Sequence, residues 1–193
     1  MDGTNEGQLS VKERLIAAGI RELNTYGLPG FSVRRVAEEC GVSCAAPYKH
    51  FKDRKEFLTA IVESSKKLWV AQLLEIAGQY PGQYRKQLLE ISLAYIRFLV
   101  ENPYARSIIM YSQDQFDSWN PSLQDQINEA IHSIVEKYCM GSSLPETAHK
   151  RKSYVIRSLI YGAVLMFDNG EEEYNEENMG IIAHAINREF DLD

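Results

Sequence analysis

The 193-residue sequence lacks several features that would place it in other functional classes. It has no run of about 18 apolar residues and no apolar stretch after a basic start, so we expect neither a membrane span nor a signal peptide. Its three cysteines show no metal-ligand spacing, which favours reduced thiols and a cytoplasmic location. The four histidines are scattered, and no nucleophile elbow, phosphate-binding loop or dinucleotide-binding motif occurs. We therefore expect no catalytic site, no metal and no cofactor.

The net charge of -6 is distributed unevenly along the chain. Residues 1–67 hold 11 Lys and Arg against 9 Asp and Glu, residues 68–167 hold 9 of each, and residues 168–193 hold 1 against 9. Within residues 31–55 the balance is 6 basic to 3 acidic. Because binding to phosphate depends on local positive charge, the overall acidity does not exclude a nucleic-acid partner. We interpret the acidic C-terminal part as a solvated loop and helix face.

Apolar residues recur at helical spacing through most of the chain, and strand-like alternation of useful length is missing. The pattern predicts an all-α fold of about nine helices. The first has an apolar stripe of Val11, Leu15, Ala18, Leu23 and Tyr26, and it ends at Gly27-Leu28-Pro29-Gly30. The first expected helix covers about 9–26, and two short helices follow, one after Ser32 and one from Ser43. A long helix is expected over 54–79, and the next two end near 101 and 114. The last three are expected over 121–139, 148–167 and 176–190.

Residues 31–58 predict a helix-turn-helix unit. Ser32 suits a helix N-cap, and Gly41 lies where the end of that helix needs a left-handed residue. Ser43 is expected to start a second helix almost at once, and Asp53 begins a capping box for the long helix that follows. In such units the second helix enters the DNA major groove. The apolar face of the first helix consists of Val33, Val36, Ala37 and Cys40.

This segment closely resembles the N-terminal domain of TetR-family transcriptional regulators. The match is carried by Tyr26-Gly27, Phe31-Ser32-Val33-Arg34, Val36-Ala37, Gly41-Val42-Ser43, Tyr48, His50-Phe51, Asp53-Arg54 and Leu58. The resemblance implies a DNA-binding domain over residues 1–55 and a helical effector-binding and dimerisation domain over residues 56–193. Pro47 stands where most members carry Leu, Ile or Val, and the run AAPYKHF is similar to an AAPYRHF signature found in a subgroup. Since proline lacks an amide hydrogen, we expect the second helix to start late or to be irregular.

The position of residues in the motif implies ten DNA-contacting residues: Ser32, Arg34, Arg35, Ser43, Cys44, Ala45, Tyr48, Lys49, His50 and Arg54. Arg34 is the expected base reader, because its fork matches guanine O6 and N7, although an ion pair with Glu38 is an alternative. Tyr48, Lys49 and Arg54 suit phosphate contacts. His50 either donates to a phosphate or packs beside Phe51. Cys44, at the expected helix start, is either a redox-sensing thiol or a small DNA-facing residue.

The resemblance also implies an effector pocket and a dimer interface in the second domain. The candidate effector-binding residues are Trp69, Leu73, Tyr95, Phe98, Tyr111, Trp119 and Tyr161, since aromatic walls with a few polar donors suit a small, largely apolar molecule. The segment 158–170 is similar to the last helix of a C-terminal domain type called WHG, with Tyr161-Gly162 in place of a His-Gly pair. The expected homodimer interface consists of Ile156, Leu159, Ile160, Ala163, Phe167, Met179, Ile182, Ala183 and Ile186.

The sequence thus predicts a DNA-binding regulator that binds a palindromic operator as a dimer. We expect it to act as a repressor that a small hydrophobic or amphipathic effector releases from double-stranded DNA. Two alternatives stay open at this point. One is a helical small-molecule-binding protein, or an enzyme on this scaffold, that has lost operator binding. The other is a DNA-binding structural protein without an effector, which the neutral charge of residues 68–167 disfavours.

Overall fold

The computed structural model describes residues 9–106, 132–133, 135–140 and 145–191. Within these ranges no β-strand occurs, and the predicted all-α fold is confirmed. Residues 135–140 are helical, but the helices expected around 104–114 and 121–139 lie mostly outside the described residues. The α-helices with full bounds are α1 (Val11–Gly30), α2 (Val33–Glu39), α3 (Arg54–Gln79), α4 (Tyr84–Glu101), α5 (Glu146–Asp168) and α6 (Glu176–Glu189), and a 3₁₀ helix covers Pro47–Lys49.

The chain divides into two compact units. The first extends to Leu68 and includes Pro103–Ala105, and the second comprises Trp69–Asn102 and the described residues from Arg106 onward. Helix α3 therefore contributes its first part to one unit and its second part to the other. The expected functional boundary after residue 55 stays a prediction. No helix in the described ranges has the length and apolar character that crossing a membrane requires.

Three phenylalanines form the centre of the first unit. The Phe51 and Phe57 rings stack with centroids 4.3 Å apart, and Phe31 meets Phe57 edge-on at 5.7 Å. Helix α1 approaches α3 closely at Gly19, where an added Cβ would lie 2.5 Å from the Ile61 Cδ1 atom. A larger residue at this position would push the two helices apart. Aliphatic side chains complete this core, among them Leu15, Ala18, Val36, Ala37 and Leu58.

Most helix ends follow the sequence signals. Gly27 interrupts α1 with a φ of 63°, and Asp53 caps α3 by accepting a hydrogen bond from the Glu56 backbone nitrogen at 2.8 Å. The start of α1 has a capping box formed by Ser10 and Glu13. The assignment of Tyr26 to the buried stripe is wrong, because its side chain is 53% exposed. Gly27 interrupts α1 directly after Tyr26, and the Arg35 guanidinium rather than the core covers the Tyr26 ring.

The second unit is built around α4, which is buried on nearly all sides, as its apolar sequence predicts. Helices α5 and α6 pack against α4 and against each other. The Arg106 guanidinium ties the chain beyond α4 to the end of α5 by an ion pair with Asp168. The core shared by these elements includes Leu88, Ile91, Ile96, Leu99, Ile156, Ile160, Val164, Ile186 and Phe190.

Candidate functional sites

The turn after α2 is fixed by backbone hydrogen bonds. Gly41 adopts a φ of 66°, which only glycine takes without strain. Its backbone nitrogen donates to the Glu38 carbonyl at 3.1 Å, and the Val42 nitrogen donates to the Ala37 carbonyl at 3.0 Å. This pair of bonds is the Schellman arrangement that ends many α-helices. The turn therefore sends the chain from α2 into residues 43–51 in a defined direction, as the sequence predicts.

The segment after the turn is not an α-helix from Ser43 onward, because its helical turn begins late, at Pro47, and is irregular, as the proline predicts. The Ser43 carbonyl accepts from the Ala46 nitrogen at 2.9 Å, and a 3₁₀ helix follows over Pro47–Lys49. Pro47 has no amide hydrogen to donate to Ser43, so an α-helical bond is impossible there and the chain closes tighter turns instead. Cys44 consequently lies in a turn rather than at the start of an α-helix, which removes the reason for expecting a reactive thiolate.

All the polar side chains at the tip of this segment are exposed to solvent. Tyr48, Lys49 and His50 project from the 3₁₀ helix, and Ser43, Cys44 and Ala45 precede them with similar exposure. The His50 ring lies 6.3 Å from the Phe51 ring at a tilted angle, so it covers the core edge without being buried. These six of the ten expected DNA-contacting residues thus form one continuous exposed surface. We call this surface, together with Arg34, the reading edge.

Arg34 is the most exposed charged group of α2, with a side chain 78% accessible. Its Nε atom donates to the Glu38 Oε1 atom at 2.8 Å, which is the alternative contact expected from the sequence. Hydrogen bonding to Glu38 raises the pKa of Arg34, so the guanidinium stays fully charged. Because exposed pairs contribute little to stability, the guanidinium can exchange Glu38 for a base or a phosphate at low cost.

Ser32 and Arg35 form part of an internal framework centred on Glu22. The Glu22 carboxylate is 4% exposed and accepts from the Ser32 backbone nitrogen at 3.0 Å and from Arg35 Nε at 2.8 Å. Arg35 Nη2 contacts the same carboxylate and the Gly30 carbonyl, and the guanidinium lies 4.2 Å from the Tyr26 ring centroid. The Ser32 hydroxyl caps α2 by accepting from the Arg35 nitrogen. These contacts fix the orientation of α2 against α1.

Glu22 was not among the residues predicted from the sequence, although a signal for it exists. It follows Ala18 by four positions and Leu15 by seven, so it belongs to the apolar face of α1. A carboxylate on that face must be paired when it is buried.

Arg54, another expected DNA-contacting residue, is exposed and also makes a contact within the chain. Its Nη2 atom donates to the Leu28 carbonyl at 2.8 Å.

The aromatic residues expected to bind an effector form a cluster in the second unit. The Trp69 ring lies 5.3 Å from the Tyr95 ring and 5.4 Å from the Phe98 ring, measured between centroids. Leu73 and Tyr161 are partly buried and pack against the same core. Tyr111 and Trp119 lie outside the described residues. Five of the seven expected effector residues are therefore brought into one core by α3, α4 and α5.

The dimer interface expected from the sequence stays a prediction, and most of its residues are buried within a single chain. Ile156, Ile160, Ala163 and Ile186 are at most 1% exposed within a single chain, and Met179 is 8% exposed. Helices α5 and α6 use these faces to pack against α4, so the side chains are unavailable to a partner. Leu159, Phe167, Ile182 and Ala183 are partly buried against the same core. The large apolar side chains of these helices that are exposed are Tyr154, Met166 and Ile181.

A surface cleft of about 640 Å³, which the sequence did not predict, lies at the start of α4. Its lining includes Tyr84, Arg85, Tyr138 and Asn187, which come from three distant segments of the chain. Arg85 is already engaged, because it donates to the Asn187 side chain at 3.1 Å and to Asp191 at 2.7 Å. The described residues contain no group of three or more acidic, His or Cys side chains that could hold a metal ion.

Known proteins match this chain most clearly in its N-terminal part. The family model for bacterial regulatory proteins of the tetR family matches residues 15–61. An HTH-type transcriptional regulator of Staphylococcus aureus (strain bovine RF122 / ET3-1) is 26% identical over 92 residues, which are 47% of this chain and 49% of that protein. The chain spans about half the length of the curated relatives it matches.

Solved structures match over nearly the whole chain and establish the fold. A Rhodococcus sp. RHA1 protein of unknown function superposes with a TM-score of 0.74 at 22% identity, covering 97% of both chains. The transcriptional regulator FadR of Bacillus subtilis, in complex with stearoyl-CoA, superposes with a TM-score of 0.65 at 14% identity, covering 92% of this chain and 96% of that one.

The matched segment 15–61 contains most of α1, all of α2, the Schellman turn and the reading edge. The family resemblance expected from the sequence is thereby confirmed, while the similarity to the WHG domain type stays a prediction. Over residues 15–61 the chain is therefore similar to the tetR family of bacterial regulatory proteins.

Proposed function

We propose that this chain is a transcriptional repressor that acts in the cytoplasm, binds a palindromic operator as a dimer and is released from it by a small, largely apolar effector. The observation that carries the proposal is the reading edge. Its polar side chains are exposed on a short segment whose direction is fixed by the Gly41 turn and by the buried Glu22 framework. A rigid support under exposed polar and basic side chains is what DNA recognition requires.

The reading edge suits DNA in a particular way. Cys44 and Ala45 offer no strong hydrogen-bonding group to a base, so methyl contacts to thymine and the local shape of the duplex are expected to contribute there. Arg34 supplies the direct base contact, and Tyr48 and Lys49 supply phosphate contacts. Because a 3₁₀ helix is narrower than an α-helix, we propose that Pro47–Lys49 enters the groove by its tip rather than along its length.

An electrophoretic shift with the DNA upstream of the chain's own gene tests the proposal directly. We expect retention of a discrete fragment in the presence of excess unrelated duplex, and loss of that retention in the double variant with Arg34→Ala and Lys49→Ala. Retention that is equal on all sequences would favour a structural DNA-binding protein. No retention at low salt would favour a small-molecule-binding protein that has lost its operator.

We propose that the dimer forms through the exposed faces of α5 and α6 rather than through their buried faces. Tyr154 and Ile181, which are 74% and 61% exposed, support this choice because they supply large apolar side chains that a partner on these faces would cover. A two-fold axis would set two reading edges about 34–36 Å apart, which fits a palindrome. Ile181→Glu should convert a dimer to a monomer by light scattering, whereas Glu177→Gln on the same helix should not. A wild-type monomer at micromolar concentration contradicts this part of the proposal.

The effector is proposed to bind at the aromatic cluster of α3, α4 and α5. Support comes from Trp69, Tyr95 and Phe98, whose rings contact one another, and from the stearoyl-CoA held by the similar FadR protein. Helix α3 carries both Arg54 and Trp69, so a shift of this helix changes the spacing of the two reading edges. An effector with differential affinity for the two states then lowers operator affinity, typically by about 5- to 150-fold.

A further inference from the structure

Four buried donors of the second unit make no hydrogen bond of ordinary geometry to a described residue. One is the Arg106 Nε atom, whose guanidinium is paired with Asp168 through another nitrogen. The other three are the Trp69 Nε1 atom, the Tyr95 hydroxyl, which interacts with Tyr161, and the Arg157 Nε atom. Trp69 and Tyr95 are each only 1% exposed as whole residues. Leaving a buried donor unpaired is costly, and native proteins rarely do so without a functional reason. Several such groups near one another indicate that an acceptor is supplied from outside the chain.

The three donors come together from three helices. Trp69 on α3 and Tyr95 on α4 contact each other through their rings. Arg157 and Tyr161 are one turn apart on α5 and therefore share a face. Burial raises the pKa of Tyr95 well above its ordinary value, the neighbouring Tyr161 raises it further, and the charge of Arg157 opposes the shift. Arg157 thus lies near Tyr95, and the phenol remains a protonated donor at neutral pH.

Apolar groups surround these donors. Leu73, Phe98 and Tyr161 pack against the same core, and Ile160 and Val164 of α5 are buried beside them. A ligand here would find an apolar wall with an indole N–H, a phenol O–H and a guanidinium at one end. Such a site binds a molecule with a hydrophobic body and a single strong acceptor. A carboxylate satisfies two or three donors at once and, like a phosphate, pairs with arginine. The nearly complete burial of Trp69 and Tyr95 favours the carboxylate, which is the smaller of the two groups.

We propose that the effector is an amphipathic monocarboxylic acid whose carboxylate accepts hydrogen bonds from Trp69, Tyr95 and Arg157. The apolar chain of the acid lies along Leu73 and Phe98. This inference rests on the proposed effector-responsive function and adds the head-group chemistry to it. Tyr95 and Trp69 supply neutral donors, and Arg157 supplies the charge that distinguishes an acid from its ester or alcohol.

Binding of a matched set of probes to the full-length chain tests the head group. The set consists of straight-chain acids from hexanoic to tetradecanoic acid, the methyl ester of each acid and the alkyltrimethylammonium cation of each length. Isothermal titration calorimetry reports binding without altering Trp69 or Trp119, which are both candidate effector-binding residues. We expect one acid to bind at least about tenfold more tightly than its ester, and the cations not to bind. Equal binding of acid and ester, tighter binding of a cation, or no binding of any probe would overturn the proposal.

Three variants test the residues. Tyr95→Phe keeps the ring and removes one donor, so the affinity for the acid should fall about tenfold while the affinity for the ester changes less. Arg157→Met should abolish the preference for acid over ester, and Arg157→Lys should restore part of it. Tyr174→Phe removes a hydroxyl from the loop after α5 and serves as the matched control. An unchanged acid preference in Arg157→Met contradicts the assignment, whatever the stability of the variant.

The head-group assignment and the proposed induction can be contradicted by different results. An acid that binds with the expected preference but leaves operator retention unchanged supports the head-group assignment and contradicts induction. Operator retention that no acid affects, together with absent binding, contradicts the head-group assignment and leaves DNA binding intact.

Discussion

In the first unit the buried Glu22 carboxylate accepts hydrogen bonds from Ser32 and Arg35, whereas in the second unit the equally buried Trp69 indole and Tyr95 hydroxyl have no acceptor at ordinary hydrogen-bonding geometry. The first unit satisfies its interior and presents its polar side chains to the outside. The second unit pairs buried groups such as Gln87 and Lys152 but leaves the polar atoms of Trp69 and Tyr95 without a hydrogen bond of ordinary geometry. A buried group that is paired within the chain holds a surface in place, and a buried group that is unpaired can be completed by a ligand.

The largest effect on stability is expected when the buried Glu22 carboxylate is removed. Glu22→Leu leaves the Ser32 amide and the Arg35 guanidinium without their acceptor, so the free energy of unfolding should fall by about 2–3 kcal/mol. Thermal unfolding followed by circular dichroism measures the change. Glu39→Gln breaks the exposed ion pair with Arg21, formed at 2.6 Å, and as the control should cost less than about 1 kcal/mol. Equal losses in both variants would show that Glu22 is not a framework residue.

The reading edge should lose function without losing stability. Arg34→Ala is expected to weaken operator binding about ten- to a hundredfold and to relax selectivity at one base pair, because a guanine contact is removed. Lys49→Ala should weaken binding on all sequences and lower the salt slope by about one. Glu38→Gln frees Arg34 from its ion pair and should tighten binding several-fold. Binding isotherms at several salt concentrations measure all three, and unchanged selectivity in Arg34→Ala would contradict its role as base reader.

The same Tyr→Phe substitution at two positions compares the hydrogen-bonded hydroxyl of Tyr104 with the Tyr95 hydroxyl, which makes no hydrogen bond of ordinary geometry. The Tyr104 hydroxyl bonds to the Ser65 hydroxyl in the first unit, so Tyr104→Phe should destabilise the chain by about 1 kcal/mol. The Tyr95 hydroxyl lacks such a bond, so Tyr95→Phe should leave the ligand-free chain unchanged or slightly more stable. Denaturant titrations of both variants without ligand decide the sign. Destabilisation by Tyr95→Phe equal to that by Tyr104→Phe would show that its hydroxyl is satisfied.

The smallest effect concerns the exposed pair between Arg85 and Asp191. Hydrogen bonding to Arg85 lowers the pKa of Asp191 below its ordinary value of 3.8. The pair therefore stabilises the folded chain above the pKa of the unfolded aspartate, and this contribution disappears as the pH falls through the lower folded value. Thermal unfolding of Asp191→Asn and of the wild type should differ slightly near neutral pH and converge in acid. A difference that grows in acid would contradict the assignment.

The sequence predicted the helical elements closely, and the reasons are local. Helix α3 has the expected limits because Asp53 caps its start and Tyr80-Pro81-Gly82 follows its end, and both signals act within a few residues. The reading edge was also predicted, since Gly41 and Pro47 constrain the backbone at their own positions. The late and irregular start of the second helix was predicted as well, because the missing amide hydrogen of Pro47 can be read from the sequence.

The sequence could not show which apolar faces of the helices are buried within the chain and which are exposed to a partner. The helical spacing of Ile156 and Ile186 fits a dimer interface as well as an internal core. Only the position of α4 shows that they belong to the core. The partners of Glu22 and the meeting of Trp69, Tyr95 and Arg157 depend on helices that are distant in the sequence. The exposed alternatives for a dimer contact, such as Ile181, became visible only once the internal contacts were assigned.

By itself the sequence determined where helices begin and end, which turn precedes the reading edge and which family the N-terminal segment resembles. Those features follow from dihedral preferences, caps and missing donors, which act over a few residues. The tertiary structure alone decided which apolar stripe is buried, which carboxylate is paired and which donors are left for a ligand. These outcomes depend on packing between segments far apart in the chain, where burial makes each unpaired polar group costly.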